Sequence, residues 1–248
     1  HYCSIADCPG DLSMRDHAGS RATLDRVEVS AARKSLGIMI AGDCNWKAEE
    51  ARLLRASALW KAQVQAGHLS SSDAWYALNH TIMKTVEYPM MATYLSKAQC
   101  EKIMRPFLNA GLSASGVVRS MPRAIVWGPT RHQGLGIHHL WTTQGVEHLL
   151  AILRHATRST LTGQLIRTSM EDMQLEIGVS ASFLKYSYDC YGCLSTRSWM
   201  SKTWRFLSDS RITVIDQIQK PLLACTNDCF IMERLFQHGF KGSDLLQL

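Results

Sequence analysis

The sequence predicts a mainly helical protein with a small β element at its amino-terminal end, in which a helical bundle is followed by a second helical region. After residue 43, apolar residues recur every three or four positions, which is the spacing of a helix with one buried face. Helix-capping residues and glycines bound these segments. Before residue 43, short extended runs alternate with turn signals, as is typical of strands. A chain that is 46% hydrophobic and 19% charged is also expected to bury a globular core.

The β element is predicted from the first three extended runs of the chain. Residues 12–16 and 21–29 flank a turn signal at Gly19, and this arrangement predicts a hairpin. The apolar run from Ser35 to Ile40 predicts one further strand. A turn at Gly42 is expected to end that strand.

Two helices are expected directly after the β element. Asn45 can cap the first, which should continue to about Ala66. Ser70 precedes an acidic residue three positions later, in a pattern that resembles a capping box and opens the second helix. Pro89 is expected to stop the second helix because proline lacks the amide that a helix interior requires.

A third helix carries the clearest start signal in the chain. Ser96 and Gln99 form a capping-box pattern, so the helix is expected to begin there. Pro106 should bend it, and Gly111 should end it. The short apolar run 124–127 that follows predicts a strand or an extended segment.

The remaining elements follow from the same signals. Thr143 is expected to cap a helix, and another helix is expected from about residue 160 until Gly178 ends it. The later segments are predicted to be an aromatic loop over 182–194, a helix over 195–207, a strand over 211–215 and a helix that ends at Gly239.

Positive charge is concentrated in about one quarter of the chain. Between Gly111 and Met170, six arginines face one acid, Glu147, so this window carries +5 of the chain's net charge of +6. Five histidines lie in the same window. A basic zone of this kind favours a polyanionic partner such as nucleic acid. The alternative is an arginine-rich face that contacts only solvent.

The segment 121–145 contains glycines and histidines that could serve a phosphate loop or a metal site. Gly134 and Gly136 make only half of a dinucleotide-binding fingerprint, and no Gly-Lys-Ser/Thr follows them. His138 and His139 are adjacent, so in an extended segment their side chains diverge. The pattern therefore favours a tight turn that packs Leu135 and Ile137 beneath it.

The eight cysteines are spread along the chain, which does not resemble a small disulfide scaffold. We expect reduced thiols in an intracellular protein, in the cytoplasm or the nucleus, and we expect the thiols of the two short cysteine pairs to be buried. A weaker alternative is a zinc site, since two short cysteine pairs can supply four thiolates and the second pair lies on a predicted helix. The residues of this alternative are Cys190, Cys193, Cys225 and Cys229.

The sequence contains no recognisable catalytic signature. There is no Gly-x-Ser-x-Gly and no Asp-Asp pair, and the adjacent acids Glu49-Glu50 and Glu171-Asp172 lie in stretches expected to be exposed helix. No apolar run approaches the roughly 20 residues of a membrane span, and there is no secretory signal. The chain begins without Met and ends where a helix would start, so we expect a piece of a longer protein.

Basic residues interleaved with aromatic residues are the remaining signal. Several cations surround Trp46 and Trp60, and nucleic acids offer phosphates for cations and bases for aromatic rings. The helical period of the tryptophans instead favours a place in the core, with the cations as solvent cover. The cations concerned are Arg33, Lys34, Lys47, Arg52, Arg55 and Lys61.

The order of these segments resembles the region just downstream of the polymerase palm in non-LTR-type reverse transcriptases. A Lys-x-Leu-Gly strand at Lys34–Ile38, a long helix from Trp46 and a helix leading into Tyr88-Pro89 match that order. The run 121–153, with its Gly-Leu-Gly-Ile, looks like the segment that follows in retroelement-derived reading frames of protists and algae. The resemblance covers the chain from about Asp11 onward.

The resemblance implies a thumb and connection region that binds RNA or an RNA–DNA hybrid beside a missing amino-terminal palm. It implies a β segment at 1–42 that continues from this palm, a thumb-like bundle at 43–111 and a helical connection region at 112–248. The strand over 35–40 would lie near the primer end, and the helix from Trp46 would follow the duplex backbone.

The catalytic Tyr-x-Asp-Asp turn of the family has no match here, so polymerase activity and its Mg²⁺ are expected to belong to the parent protein and no cofactor to this chain. A helical protein-interaction module and a zinc-binding helical domain remain as alternatives. The residues expected to contact nucleic acid are Arg33, Lys34, Lys47, Arg52, Arg55, Lys84, Arg119, Arg123, Arg131 and His132.

Overall fold

The secondary structure is mainly helical with a small amino-terminal β element, which confirms the predicted fold class. The computed structural model describes residues 13–15, 17–23, 27–196, 198–215, 225–226 and 228–245, without the side chains of Ala22 and Leu245. The chain divides into two compact units, His1–Glu49 and Glu50–Leu248. None of the helices in the described ranges has the length and apolar character needed to cross a membrane.

The first unit contains two antiparallel hairpins. Strand β1 (Ser13–Arg15) pairs with β2 (Arg21–Thr23), which confirms the strands on either side of the turn at Gly19, but residues 27–29 of the predicted second run are not in a strand. Strand β3 (Arg33–Ser35) pairs with β4 (Ile38–Ile40). The single strand predicted over residues 35–40 is therefore wrong, because a tight turn interrupts it.

That turn is formed by Leu36 and Gly37, whose φ angles are +48° and +87°. Positive φ at both central residues is the geometry of a two-residue hairpin turn that matches the twist of its strands. Leucine rarely adopts this conformation, so the sequence pattern predicts a strand instead. The Leu36 side chain is 87% exposed, in keeping with its place at a hairpin tip.

Helix α1 (Lys47–Ala66) begins as predicted, since the Asn45 side chain accepts a hydrogen bond from the Lys47 amide at 3.0 Å. Glu49 was expected to be exposed, and this expectation is wrong. Its side chain is fully buried, and its Oε2 accepts a hydrogen bond from the Met39 amide at 2.9 Å. A buried carboxylate needs such a donor, and the donor comes from a strand ten residues away.

The second unit consists of helices joined by short turns. The first part of α1 belongs to the amino-terminal unit, and the rest of the helix belongs to this one. The longer helices are α4 (Lys97–Ala114), α6 (Leu140–His155), α7 (Leu161–Ile177) and α9 (Trp199–Asp209). The shorter ones are α2 (Ser71–Ala77), α3 (Met83–Glu87), α5 (Arg123–Trp127), α8 (Tyr188–Tyr191), α10 (Ile231–Gln237) and α11 (Gly242–Leu245). A π-helical turn at Leu78–Ile82 joins α2 to α3, and single 3₁₀ turns lie at Tyr88–Met91, Thr130–His132, Phe183–Lys185 and Gly192–Leu194.

Most of the predicted helix ends are confirmed. Ser96 and Gln99 form a complete capping box at the start of α4. The Ser70 side chain accepts a hydrogen bond from the Asp73 amide at the start of α2. The carboxyl end of α7 lies at Gly178, which adopts the left-handed conformation with φ +68°. These ends are predictable because each depends on residues three or four positions apart.

Gly111 does not end α4, which continues to Ala114. A Cβ atom at Gly111 would lie 3.0 Å from Leu78 Cδ1 and 3.2 Å from Trp60 Cη2. The glycine therefore allows neighbouring side chains to approach the helix backbone closely. The prediction is wrong because it treats a packing glycine as a helix terminator.

Residues 124–127 are helical as part of α5, so the extended segment predicted there is wrong. An apolar run this short does not distinguish a strand from a buried helical turn. Helix α6 begins at Leu140 rather than near Thr143, because the His139 imidazole caps it. Residues 211–215 form no strand in this described part of the chain, which is a further correction.

An aromatic cluster occupies the core around α9. Trp204 is buried and meets Phe183 and Tyr188 edge to face, at ring-centroid distances of 5.4 and 5.1 Å. Tyr191 stacks on Phe236 of α10 at 3.9 Å. The predicted aromatic loop is thus mostly short helical turns, and its rings extend the core toward the carboxyl-terminal helix.

Candidate nucleic-acid interface

A cavity of about 590 Å³ lies where α4, α5 and the start of α6 meet. Helix α4 contributes one face, because its lining residues follow one another at three- and four-residue steps. Helix α5 contributes a cation and an indole, and the start of α6 contributes a second indole. The lining residues are Lys97, Glu101, Met104, Arg105, Leu108, Arg123, Trp127, His139, Trp141 and Thr142.

The cavity separates charged from apolar groups. Lys97, Arg105 and Arg123 are exposed and lie at its mouth. Met104 and Leu108 form its floor and are only 1% and 3% exposed. A ligand in this cavity therefore meets positive charge at the entrance and an apolar surface inside.

Two half-buried indole rings form the walls between mouth and floor. Trp127 meets the His139 imidazole edge to face at 5.1 Å. Trp141 meets Phe206 edge to face at 4.9 Å, and Lys97 Nζ lies 5.5 Å from the centroid of the Trp141 ring. These contacts hold both rings in place, so they form a preorganised surface for a flat ligand.

His139 is held as a neutral imidazole. Its Nδ1 accepts a hydrogen bond from the Trp141 amide at 3.2 Å. Burial lowers the pKa of His139, and although nearby Glu101 raises that pKa, Lys97 lowers it further. Since Nδ1 acts as an acceptor, the proton of the neutral ring lies on Nε2, which is 3.9 Å from Glu101 Oε1. The cavity therefore presents one N–H donor next to one carboxylate acceptor.

Two further cavities lie next to the first. A cavity of about 300 Å³ shares Lys97 and Trp141 with it, and a third of about 650 Å³ shares Lys202, Arg205 and Asp209 with the second. We call these three neighbouring cavities the basic trough. Its charged lining residues are the cations Lys97, Arg105, Arg123, Lys202 and Arg205 and the acids Glu101, Asp189 and Asp209.

Comparisons with protein-family models, with curated proteins and with solved structures find no match for this chain. The resemblance to reverse transcriptases thus stays a prediction from the sequence motifs.

Of the residues predicted to contact nucleic acid, Arg123 lines the basic trough. Arg33 and Lys34 belong to β3 and, with Lys47, to the first unit. Arg52, half-buried on α1, belongs to the second unit and does not line the three cavities of the trough.

The other predicted cations of the second unit also lie away from these cavities. Arg55 Nε donates to the Ala51 carbonyl at 3.4 Å on its own helix. Lys84 Nζ pairs with Glu87 at 2.9 Å, and Arg119 Nε donates to Ser113 Oγ at 2.8 Å. Arg131 and His132 are exposed on a 3₁₀ turn.

The site residues predicted from the sequence do not include Lys97, Arg105, Lys202, Arg205, Trp127 or Trp141. One signal was available, since Lys97, Glu101 and Arg105 repeat at four-residue steps and so form one polar stripe on α4. Nothing in the local pattern relates that stripe to Trp127. Trp60, by contrast, packs at the edge of Phe107 and donates its indole N–H to Thr81, but it is half-buried, as is Trp46, so the predicted core position of these two tryptophans is wrong.

The Gly-Leu-Gly-Ile segment is a structural turn, as predicted. Gly136 has φ +70°, and a side chain at Gly134 would overlap the Gly128 carbonyl. Ile137 is buried beneath the turn, while Leu135 is half-buried. Two main-chain hydrogen bonds join the segment to α5. The Leu135 amide donates to the Ile125 carbonyl at 2.8 Å, and the Ile137 amide donates to the Val126 carbonyl at 3.2 Å.

The metal-site alternatives receive no support from the arrangement of side chains. His138 and His139 diverge as expected, because His138 Nδ1 lies 2.9 Å from Glu87 Oε1 while His139 faces the trough. Within the described ranges, no three His, Cys, Asp or Glu residues are grouped so that they could hold a metal ion.

The cysteines of the zinc alternative are mostly at the surface. Cys225 and Cys229 precede α10, so the expectation that they share a helix face is wrong. Both are exposed, as is Cys193, which contradicts their interpretation as buried thiols, and Cys190 is half-buried. Each cysteine in the described ranges is a free thiol.

Proposed function

We propose that the helical unit binds RNA or an RNA–DNA hybrid without catalysing a reaction, as the thumb and connection region of a reverse transcriptase-like protein would. The observation that carries the proposal is the cavity in which Lys97, Arg105 and Arg123 surround the indole rings of Trp127 and Trp141. Phosphates bind cations, and bases stack on aromatic rings. The sequence motifs that resemble reverse transcriptases point to the same class of ligand.

The basic trough suits a linear polyanion better than a compact anion. Its three cavities share lining residues, and each has cations in its lining, although Arg205 pairs with Asp209 at 3.7 Å. Lys97 and Trp141 line both the first and the second cavity, so a bound chain would pass between them. A nucleic-acid backbone carries regularly spaced charges that could meet these cations in turn.

We propose that this chain binds nucleic acid and catalyses no reaction itself. Phosphoryl transfer by two metal ions needs clustered carboxylates, and the sequence has no Asp-Asp pair. Any polymerase activity and its Mg²⁺ would then reside in the palm of the parent protein.

The proposal is tested by measuring the affinity for a 12-base-pair RNA–DNA hybrid by fluorescence anisotropy at several salt concentrations. Affinity is expected to fall steeply with salt, because binding releases counterions from the phosphates. Arg105→Ala combined with Arg123→Ala should weaken binding and make the log–log salt slope shallower by about 2. Flat salt dependence, or no binding at low salt, would contradict the proposal.

Arg154→Ala is the control for the loss of one positive charge and is compared with Arg123→Ala alone. Arg154 is exposed on α6, thirteen residues beyond Trp141, and does not line the cavities of the trough. At 1.5 Å per residue the two positions are about 20 Å apart along the helix. This variant should retain most of the affinity if the trough is the binding surface.

A helical protein-interaction module is a second candidate function. Leu161, Leu165 and Leu175 are exposed on one side of α7, where apolar side chains favour contact with another protein. If this surface joins two copies of the chain, sedimentation velocity will show a dimer that Leu165→Gln dissociates. A monomer at all concentrations would exclude this form of the second candidate.

A further inference from the structure

We propose that the cavity between α4, α5 and α6 holds one unpaired nucleobase of a single-stranded segment whose backbone continues along the basic trough. This inference rests on the proposed function and adds to it that the ligand has an unpaired part. The occupant is identified by the chemistry of the lining, taken from the mouth inward.

The inner part of the cavity does not suit a phosphate. Met104 and Leu108 are buried apolar residues at its floor, and the half-buried rings of Trp127 and Trp141 form its walls. Placing an ionised phosphate against such a surface costs free energy because the charge loses its hydration. A nucleobase has flat apolar faces that stack on indole rings, so its binding at this surface is favourable while that of a phosphate is unfavourable.

Glu101, whose side chain is 56% exposed, disfavours a phosphate at the point of the cavity next to His139. Among the described residues that line the cavity it is the one acid, and it repels phosphate. Its carboxylate oxygens can accept hydrogen bonds and the neighbouring His139 Nε2–H can donate one, and Glu101 Oε1 lies 3.9 Å from His139 Nε2. A phosphate group offers only acceptors, whereas the edge of a base offers donors beside acceptors.

The base must be unpaired to reach these groups. In a duplex the base edges face one another and the ring faces are stacked, so neither is available to indoles inside a cavity. An unstacked base can enter while its own phosphates stay at the mouth, near Lys97, Arg105 and Arg123. From there the strand can continue past Trp141 into the second cavity, which Lys97 and Trp141 also line.

The test uses a 12-base-pair RNA–DNA hybrid with a four-nucleotide RNA overhang and an identical hybrid whose overhang is abasic. Both probes carry the same phosphates, so the ratio of their dissociation constants reports the bases alone. We expect the abasic probe to bind the unchanged protein about tenfold more weakly, which is within the range for stacking of a base on an aromatic side chain. Equal affinities would overturn the inference.

Two substitutions locate this base discrimination in the cavity. Trp127→Leu should bring the ratio close to one while the salt slope persists, and Trp127→Phe, which retains a ring, should preserve part of the ratio. Thermal unfolding shows whether each variant folds. If Trp127→Leu does not fold, the ratio measured for Trp127→Phe decides the test. If a folded Trp127→Leu protein keeps the same ratio of dissociation constants as the unchanged protein, the inference is wrong.

Two substitutions of Glu101 remove the same negative charge, so a comparison between them isolates the loss of its hydrogen-bond acceptor. Glu101→Ala removes a negative charge and should tighten binding of both probes, yet it should lower their ratio because an acceptor is lost. Glu101→Gln removes the same charge but keeps a carbonyl acceptor, so its ratio should stay higher. Equal ratios in both variants and the unchanged protein would refute a role in base contact.

The outcomes separate the two proposals. Steep salt dependence with equal affinity for the two probes would overturn the base site and leave the proposed function in place. No binding of either probe at low salt would overturn both.

Discussion

The side-chain amide of Gln144 makes two hydrogen bonds with the main chain of Leu95, 49 residues earlier. Its Oε1 accepts from the Leu95 amide at 2.7 Å, and its Nε2 donates to the Leu95 carbonyl at 3.0 Å. Both residues are buried. This pair joins α6 to the chain just before α4, and it thereby places Trp141 beside Lys97.

Gln144→Leu should destabilise the protein by about 2–4 kcal/mol, because it leaves two buried main-chain groups without partners. Urea unfolding followed by circular dichroism measures the free energy of unfolding. Gln164→Leu, at an exposed position on α7, is the control and should change it by less than about 0.5 kcal/mol. Similar losses in the two variants would contradict the assigned role of Gln144.

Gly145 contacts the Phe206 ring so closely that a Cβ atom would overlap the ring. Phe206 is buried, so Gly145→Ala should destabilise the protein by about 1–3 kcal/mol even though alanine favours helix. The double variant with Phe206→Leu should lose less stability than the sum of the single changes, as a double-mutant cycle will show. Additive losses would indicate that the overlap is relieved elsewhere.

The buried His148 and the half-buried His139 predict how stability depends on pH. Burial lowers the pKa of His148, although nearby main-chain groups of Thr93, Met90 and Met91 raise it, and burial also lowers the pKa of His139. The unfolded chain therefore binds more protons just below its ordinary histidine pKa of 6.5. The stability that these neutral histidines contribute is fully present above pH 6.5. It is lost as the pH falls from 6.5 toward their lowered pKa values in the folded protein.

Urea unfolding at pH 7.5 and pH 5.5 measures this loss. His148→Gln should reduce the difference between the two pH values, since the group that must be protonated is gone. His68→Gln, at an exposed position, should leave the difference unchanged. A difference of the same size in His148→Gln would show that other groups cause the pH dependence.

Cys100 should resist alkylation in the folded protein. It is fully buried, and burial together with the nearby charge of Glu101 raises the pKa of its thiol to about 12. The thiolate is the reactive form, so almost none is present at pH 8. Iodoacetamide labelling followed by peptide mass spectrometry should modify exposed Cys193 within minutes and Cys100 only in denaturant. Equal labelling rates would contradict the burial of Cys100.

Local signals in the sequence determined most of the helix ends. Ser96 with Gln99, Ser70 with Asp73 and the left-handed Gly178 act within three or four residues, so their roles do not depend on the rest of the fold. The helical period likewise identified the fold class. These features are predictable because a helix and its cap form from neighbours along the chain.

Predictions were wrong where distant residues decided the conformation. Gly111 lies inside α4 because Leu78 and Trp60 approach it, and Glu49 is buried because the Met39 amide is available to it. His139 begins α6 although histidine is not a favoured capping residue. For Gly111 and Glu49 the deciding partner has no fixed spacing in the sequence, whereas His139 accepts a hydrogen bond from the Trp141 amide only two residues later.

The sequence alone determined that this chain would be helical, basic and without a recognisable catalytic motif. Tertiary structure alone decided which cations meet, since it places Arg123 of α5 with Lys97 and Arg105 of α4 around two indole rings. Exposed charges follow no period that reveals which helix faces converge. Helix packing depends on the buried face, and the composition of the opposite face is therefore free to vary.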